Sequence, residues 1–231
     1  MTLEALSIEH IPPSYKVYLG LFQNVHNADF LHQQLLSRNA DFEYAFVDAS
    51  VVVSRRQLLS AIFKAVNAAM NGSLKTPNVH SEIVVSLNPS NNVSKRTLMA
   101  AFVCSGPSNN YAPSPSTNLL TAGEITDSYR RFGISPTTKN LAVVKVTYSP
   151  ESSESNSAPS KDSIQAHLAE HVKGTPIDVT DANIAATTDI SKVRKYYKLN
   201  GLDWLEAIKD EQKKRAELDT LVVSAMALRG L

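Results

Sequence analysis

The chain has 231 residues, of which 43% are hydrophobic, and this is enough for one folded domain with a buried core. Its 23 basic and 22 acidic residues leave a formal net charge of +1, so no overall attraction to nucleic acid or anionic lipid is expected. The only cysteine, Cys104, cannot form an internal disulfide, and no apolar run approaches the roughly 18 residues that span a bilayer. We therefore expect a soluble, intracellular protein with no membrane contact.

The N-terminal part of the chain alternates between strand and helix signals. Residues 15–22 alternate in polarity and are rich in β-forming side chains, which predicts a strand. Asn27 can cap a helix over residues 28–38, because its side chain can accept a hydrogen bond from a free N–H group of the first turn. Residues 45–48 are typical of a short extended segment.

A second helix signal begins at Ser54. Ser54 and Gln57 match the capping-box pattern, which predicts a helix that runs to about Met70 and stops near Gly72. The helix carries a wide apolar stripe, which is more typical of a core face than of a partner surface, although it can serve as both: Leu58, Leu59, Ile62, Phe63 and Val66.

Two further strands and a series of helices follow. Residues 83–87 and 141–148 are predicted strands, and the near-continuous apolar run of the second is typical of a central strand. Residues 149–162 are rich in serine and proline and predict a flexible loop. Helices are predicted at about 163–172, 190–199 and 204–228, the last of them broken.

These elements predict an α+β fold. We expect a single two-layer domain over residues 1–231, with helices packed on a small, mostly antiparallel sheet. A long disordered insertion is expected at residues 93–123, where proline, serine and asparagine are frequent.

Two patterns suggest catalytic or metal chemistry, and both are outweighed by structural explanations. His167, Glu170 and His171 match the inverted zinc-protease pattern on a predicted helix, but a five-residue match arises easily by chance, and a solvated helix face is favoured. Cys104 could act as a nucleophile with His80 as base, yet no cationic cluster or helix N-terminus is predicted to lower its pKa. We therefore expect no catalytic residues, metal or cofactor.

Basic residues cluster at several places without a strong overall charge. Lys75, Arg194 and Lys198 could contact phosphates, and the tyrosines beside the last two could stack on unpaired bases. The alternative is that these side chains solvate helix ends and complement the helix dipole.

Several short motifs occur along the chain in a fixed order. They lie at residues 15–28, 45–48, 57–66, 75–76, 81–92, 125–134, 193–199 and 227–231. Each motif is weak alone, and their shared order is the specific signal. This order resembles one family, the PRPK-binding-protein subunit of the KEOPS (EKC) complex, and fungal members in particular.

The resemblance implies a non-catalytic protein that binds and stimulates the small atypical kinase/ATPase of that complex, and contacts its other subunits indirectly. The complex makes threonylcarbamoyladenosine in tRNA, and the implied locations are the nucleus, the cytoplasm and telomeric chromatin. We expect the kinase-binding residues on two apolar helices: Leu58, Ile62, Leu218, Leu221, Val222 and Ala225.

A second hypothesis stays open, in which the chain is itself a tRNA-binding module that presents the tRNA 3′ end. Lys75, Arg194 and Lys198 are its candidate contacts. Pro77 stands where the family usually has arginine, so one basic contact is missing.

The resemblance is interrupted by Val93–Gly123, a segment of 31 residues. Its removal would join the family's turn and helix without a gap, and Val93-Ser94-Lys95 can be encoded by a splice-donor sequence. We interpret the segment as a retained intron, with a genuine surface insertion as the alternative.

Overall fold

A computed structural model describes residues 3–89, 122–149 and 159–228. Five strands form one antiparallel sheet with the order β1–β2–β4–β3. Since β4 pairs along nearly all of β2, strands β1 and β5 share the other edge of β2. The strands are β1 (Glu4–Leu6), β2 (Tyr15–Gln23), β3 (Ala45–Asp48), β4 (Leu141–Tyr148) and β5 (Thr175–Ile177).

Helices make up most of the rest of the described chain. In that part of the chain, no helix is both long enough and apolar enough to cross a membrane. The helices are α1 (Ala28–Leu36), α2 (Arg55–Met70), α3 (Val79–Ser86), α4 (Ala122–Phe132), α5 (Lys161–His171), α6 (Asp181–Thr187), α7 (Ile190–Tyr196), α8 (Asp203–Glu206) and α9 (Glu211–Ala227).

The two faces of the sheet carry different helices because side chains alternate along each strand. On β2, Val17, Leu19 and Leu21 contribute to one core, which also contains buried residues of α2, α3, α7 and α9. Tyr18 and Phe22 contribute to a second core with α1 and α5. We name these the α2 core and the α1 core. The predicted α+β class with a small antiparallel sheet is confirmed. Helices cover both faces of that sheet, so the domain has three layers where two were expected.

Most of the expected insertion and loop lies outside the described residues. Of the expected insertion at 93–123, only the last two residues are described, and they belong to α4. Of the expected loop at 149–162, residues 150–158 are not described, while α5 already begins at Lys161 after an N-cap at Ser160.

The strand predicted over residues 83–87 is wrong, because residues 83–86 belong to α3 and Leu87 is its C-cap. The helix begins after Asn78, whose side chain accepts a hydrogen bond from the N–H of Ser81. Apart from Ser81, every side chain from His80 to Leu87 is buried, so no polar face reveals the helical period. Periodicity alone cannot distinguish a short, fully buried helix from a buried strand.

The N-terminus of α2 confirms the predicted cap. Ser54 Oγ accepts a hydrogen bond from the N–H of Gln57 at 3.0 Å. Gln57 Oε1 accepts from the N–H of Val53 at 2.7 Å, one residue earlier than in the usual capping box. After α2 ends, Gly72 adopts a φ of 61°, a conformation that glycine reaches without steric cost.

The C-terminal helices also agree with the prediction from the sequence. The predicted break in the last of them falls between α8 and α9. Asp210 caps α9, where its carboxylate accepts hydrogen bonds from the N–H groups of Gln212 and Lys213. Residues 141–148 form the predicted central strand, since β4 pairs with both β2 and β3.

A chain of buried polar groups joins α2 to the ends of α7 and α3. Gln57 Nε2 donates to the hydroxyl of Tyr197 at 2.8 Å, and that hydroxyl donates to the carbonyl of Leu87 at 2.6 Å. Burial raises the pKa of Tyr197, so the hydroxyl keeps its proton. Each of these buried polar atoms has a hydrogen-bond partner. A buried polar group without one would destabilise the folded state by about 1–3 kcal/mol.

Replacement of Tyr197 by phenylalanine should lower the free energy of unfolding by about 1–3 kcal/mol, because the amide of Gln57 and the carbonyl of Leu87 would lose their partner. Urea denaturation followed by circular dichroism measures this change. Tyr148→Phe is the matched control, since Tyr148 is 56% exposed. Equal stability of the two variants would contradict the role assigned to the buried hydroxyl.

His80 provides a hydrogen-bond acceptor for the edge of β4 where β3 is too short to pair with it. The last residue pair between these strands joins Ala45 to Val144, and beyond it the N–H of Val146 donates to His80 Nε2 at 3.0 Å. Because Nε2 accepts this bond, the proton of the neutral imidazole lies on Nδ1. Burial lowers the pKa of His80 and outweighs the opposing effect of Glu43, so the ring is neutral near pH 7.

The free energy of unfolding should therefore decrease as the pH falls below about 6.5, because the unfolded chain then binds a proton that buried His80 does not. His80→Gln can keep an acceptor for Val146 and removes this titration. We expect its stability to depend less on pH between about 5 and 7, as measured by urea denaturation. His167, whose pKa burial also lowers, should preserve part of the dependence. Parallel stability curves for the two proteins would exclude this role of His80.

Candidate functional site

Helices α2 and α9 lie side by side and run in the same direction. At the start of α2, Ser54 Oγ donates to Asp219 at 2.5 Å, and Arg56 pairs with the other oxygen of that carboxylate at 2.7 Å. Further along, Lys64 Nζ donates to the carbonyl of Met226 at 3.3 Å. The contacts progress toward the C-terminus of both helices, so the helices stay adjacent along this length. Their outer faces therefore form one continuous surface.

The structure places the six expected kinase-binding residues mainly inside the molecule. Leu221 and Ala225 are half-buried against the α2 core, while the other four lie within it: Leu58, Ile62, Leu218 and Val222. A charge at Val222 would therefore disturb folding before it could report on binding. Contact between these residues and a kinase stays a prediction, and the exposed side chains of the same helices are better candidates.

Three large apolar side chains are exposed on or next to these helices. Phe63 and Met70 of α2 are 38% and 39% exposed, and Leu228, directly after α9, is 63% exposed. Phe63 and Met70 are separated by about two helical turns, so they lie on one side of α2. We name these three residues the α2–α9 apolar surface. Clustered exposed apolar side chains among polar neighbours indicate a protein-binding surface.

Sequence reasoning placed Phe63 in the buried stripe and assigned no binding role to Met70 or Leu228. A pair of alanines, Ala61 and Ala65, could have distinguished the exposed Phe63 from the buried residues of the stripe, because both alanines are fully buried. Small residues mark the line along which a helix approaches its support most closely. Phe63 is two positions, or about 200° around the helix, from each of these alanines, so a stripe centred on them puts Phe63 on the opposite face.

The expected tRNA contacts do not form one cluster. Lys75 lies in the loop between α2 and α3, where its backbone N–H donates to Glu82 at 3.0 Å. Arg194 of α7 forms an ion pair with Glu206, which also pairs with Lys214 at 3.4 Å. Lys198 is exposed just after α7. Arg194 and Lys198 thus share one helix end, and Arg194 is already neutralised.

The His-x-x-Glu-His motif lies on α5 beside an aromatic cluster. The ring centroids of His167 and His171 are 4.5 Å apart, and each is 5.0 Å from that of Phe42. His167 Nδ1 lies 3.0 Å from the hydroxyl of Tyr44, so this nitrogen already has a partner. Burial raises the pKa of Tyr44 to about 12, so this hydroxyl is protonated.

The solvated face predicted for this motif is right for Glu170, which is exposed, and wrong for the two half-buried histidines. Across residues 3–89, 122–149 and 159–228, no three histidine, cysteine, aspartate or glutamate side chains are grouped so that they could hold a metal ion. His167 and His171 pack beside the α1 core instead. Cys104 lies outside the described residues.

A family model described as kinase binding protein CGI-121 matches residues 22–98 and 116–230. The matched ranges contain α2, α9, β3, β4 and β5. The chain belongs to the CGI-121 family. The resemblance seen in the motif order is thereby confirmed. The family model does not match residues 99–115, which lie within the expected insertion, and the retained intron stays a prediction.

Several fungal proteins are similar to the chain, and two of them match it over its full length. A relative from Gibberella zeae is 50% identical over 231 residues, and one from Neurospora crassa is 43% identical over 239 residues. Both alignments cover 100% of this chain and of the relative. A relative from Schizosaccharomyces pombe is 25% identical and covers 81% of this chain and 84% of its own. All three are named EKC/KEOPS complex subunit CGI121.

Proposed function

We propose that the chain is a non-catalytic subunit of a KEOPS/EKC complex and binds the small atypical kinase/ATPase of that complex through the α2–α9 apolar surface. The observation that carries the proposal is the exposure of Phe63, Met70 and Leu228 on two helices whose inner sides form the core. The family description as a kinase binding protein and the names of the relatives support this choice of partner.

The surface has the composition of a protein interface. A stable interface buries roughly 1,200–2,000 Å² in total, with apolar anchors at its centre and polar groups at its rim. Phe63 supplies an aromatic anchor of the kind that dominates binding energy. Arg56, in the first turn of α2, pairs with Asp219 in the middle of α9, and this pair would lie at the rim.

Rigidity of this surface is what allows a non-catalytic subunit to stimulate a kinase. Helix α2 is anchored by Gln57 in the core and by Asp219 on α9, so the outer residues are held in place. A rigid surface that fits the active arrangement of a kinase lobe better than the inactive one shifts the kinase toward activity. The stimulation then needs no catalytic group from this chain.

The charge substitutions Phe63→Asp and Met70→Asp should each weaken kinase binding at least tenfold, because a carboxylate would have to be desolvated in an apolar interface. Co-purification and calorimetric titration with the kinase measure the effect. Leu36→Asp is the matched control, since Leu36 is 68% exposed on α1, which covers the opposite face of the sheet.

Circular dichroism and urea denaturation should show that all three variants remain folded. If folded Phe63→Asp and Met70→Asp bind the kinase as wild type does, the proposed surface is wrong. If Leu36→Asp alone loses binding, the kinase contacts the α1 side of the sheet instead.

Through this kinase we propose that the chain supports threonylcarbamoyladenosine modification of tRNA, in the nucleus and the cytoplasm and at telomeric chromatin. In cells that lack the chain, the proportion of modified tRNA should fall, as measured by mass spectrometry of nucleosides. Wild-type protein and Leu36→Asp should restore the modification, whereas Phe63→Asp should not. Full restoration by Phe63→Asp would separate the modification from the proposed kinase contact.

A second candidate function, direct tRNA binding, is favoured by the exposed basic end of α7. Lys195 and Lys198 are exposed there, and Tyr196 between them is half-buried. Cations near an aromatic ring can contact phosphates and stack on single-stranded bases. Arg194 contributes less because of its ion pair, and Lys75 lies on a separate loop.

Lys198→Gly tests direct tRNA binding without straining the backbone. Lys198 has a φ of 56°, which glycine adopts at no steric cost, so the substitution removes the side chain and its charge without backbone strain. If the chain binds tRNA here, its affinity for tRNA should fall. The slope of the logarithm of the binding constant against the logarithm of the salt concentration should also become shallower by about 1, since one phosphate contact is lost. Filter binding with intact tRNA and with tRNA that lacks its CCA end measures both. Unchanged affinity and salt dependence would leave kinase binding as the proposed function.

A further inference from the structure

The Nδ1 of His80 is a buried hydrogen-bond donor without a partner in the described part of the chain. His80 is only 4% exposed, its Nε2 is engaged by the N–H of Val146, and its Nδ1 carries the proton but makes no hydrogen bond. His80 lines a cavity of about 310 Å³ between the end of α1, the segment before β3, the start of α3 and the last turn of α4. An unpaired buried donor that borders a cavity points to a ligand that supplies the acceptor.

A carboxylate stands beside this donor. Glu43 Oε1 is 3.7 Å from His80 Nδ1, which is too long for a hydrogen bond, and the Glu43 side chain is 47% exposed. A half-exposed carboxylate of this kind is ionised at neutral pH. The cavity therefore offers one donor and one acceptor next to each other.

The charges around the cavity select for a neutral ligand. The carboxylate of Glu43 would repel an anion that approached His80 Nδ1, and the guanidinium of Arg38 at the same cavity would repel a cation. A cation would also leave the His80 donor without an acceptor. The rings of Phe42 and Tyr44 line the same space and favour a flat group.

We propose that this cavity binds a neutral carboxamide, whose oxygen accepts from His80 Nδ1 and whose NH₂ group donates to the carboxylate of Glu43. The group can come from the asparagine or glutamine side chain of a polypeptide, or from a small planar amide. The site is built from α1, the segment before β3, α3 and α4. It thus does not depend on the proposed kinase surface on α2 and α9.

Titration of the full chain with four probes tests the chemistry, with NMR detection of the backbone amides and of the His80 ring. Nicotinamide and N-acetylasparagine methylamide carry the carboxamide. Nicotinate replaces it with a carboxylate, and 3-acetylpyridine lacks the NH₂ donor. We expect the carboxamides to bind with a dissociation constant on the order of 1 mM, and the other two at least tenfold more weakly.

Two substitutions locate the site. His80→Met removes the Nδ1 donor and leaves only the weak thioether acceptor near Val146, and Glu43→Ala removes the acceptor from a half-exposed position. Each should weaken carboxamide binding at least tenfold. Glu9→Ala, in an exposed loop, is the control and should bind as wild type does.

Binding of either or both carboxamides supports the proposal. Binding of N-acetylasparagine methylamide indicates a polypeptide side chain as the natural ligand, and binding of nicotinamide indicates a small planar amide. Three results overturn it. The first is no binding of either carboxamide at roughly tenfold above the expected constant. The second is nicotinate or 3-acetylpyridine bound as tightly as nicotinamide. The third is unchanged affinity in folded Glu43→Ala.

Discussion

The antiparallel pairing of β2 with β4 is the interaction on which the rest of this structure depends. It runs over eight residue pairs, from Tyr15 opposite Tyr148 to Phe22 opposite Leu141. Because side chains alternate along both strands, the pairing sends one set into the α2 core and the other into the α1 core. A slip of one residue would exchange the two sets, so the register determines which helices can pack on which face.

Buried polar groups connect this sheet to the helices that carry the proposed binding surface. His80 of α3 satisfies the edge of β4, while Tyr197 joins α2 to the carbonyl of Leu87 at the end of α3. Helix α2 is therefore held by hydrogen bonds as well as by apolar packing. These contacts fix the position of the exposed residue Phe63, so the proposed binding surface depends on the register of the sheet.

Local signals predicted most of the fold correctly. The cap at Ser54, the break before Asp210 and the central position of β4 can all be recognised from neighbouring residues, because hydrogen bonds and alternation are short-range. Helix α3 could not be recognised this way, because a helix buried on all sides shows no period. The sequence placed the expected kinase contacts on α2 and α9, but the side chains that it named there are mostly those of the core.

By itself, the sequence determined the strands with alternating side chains, the capped helices and the order of motifs that marks the family. The tertiary structure decided which apolar residues are buried and which remain available. Ile62 and Phe63 are adjacent and both apolar, yet one is fully buried and the other exposed, because only one side of α2 faces the sheet and α9. The free donor of His80 likewise depends on Val146, 66 residues away. Burial and pairing depend on such distant partners, which periodicity within a single segment does not encode.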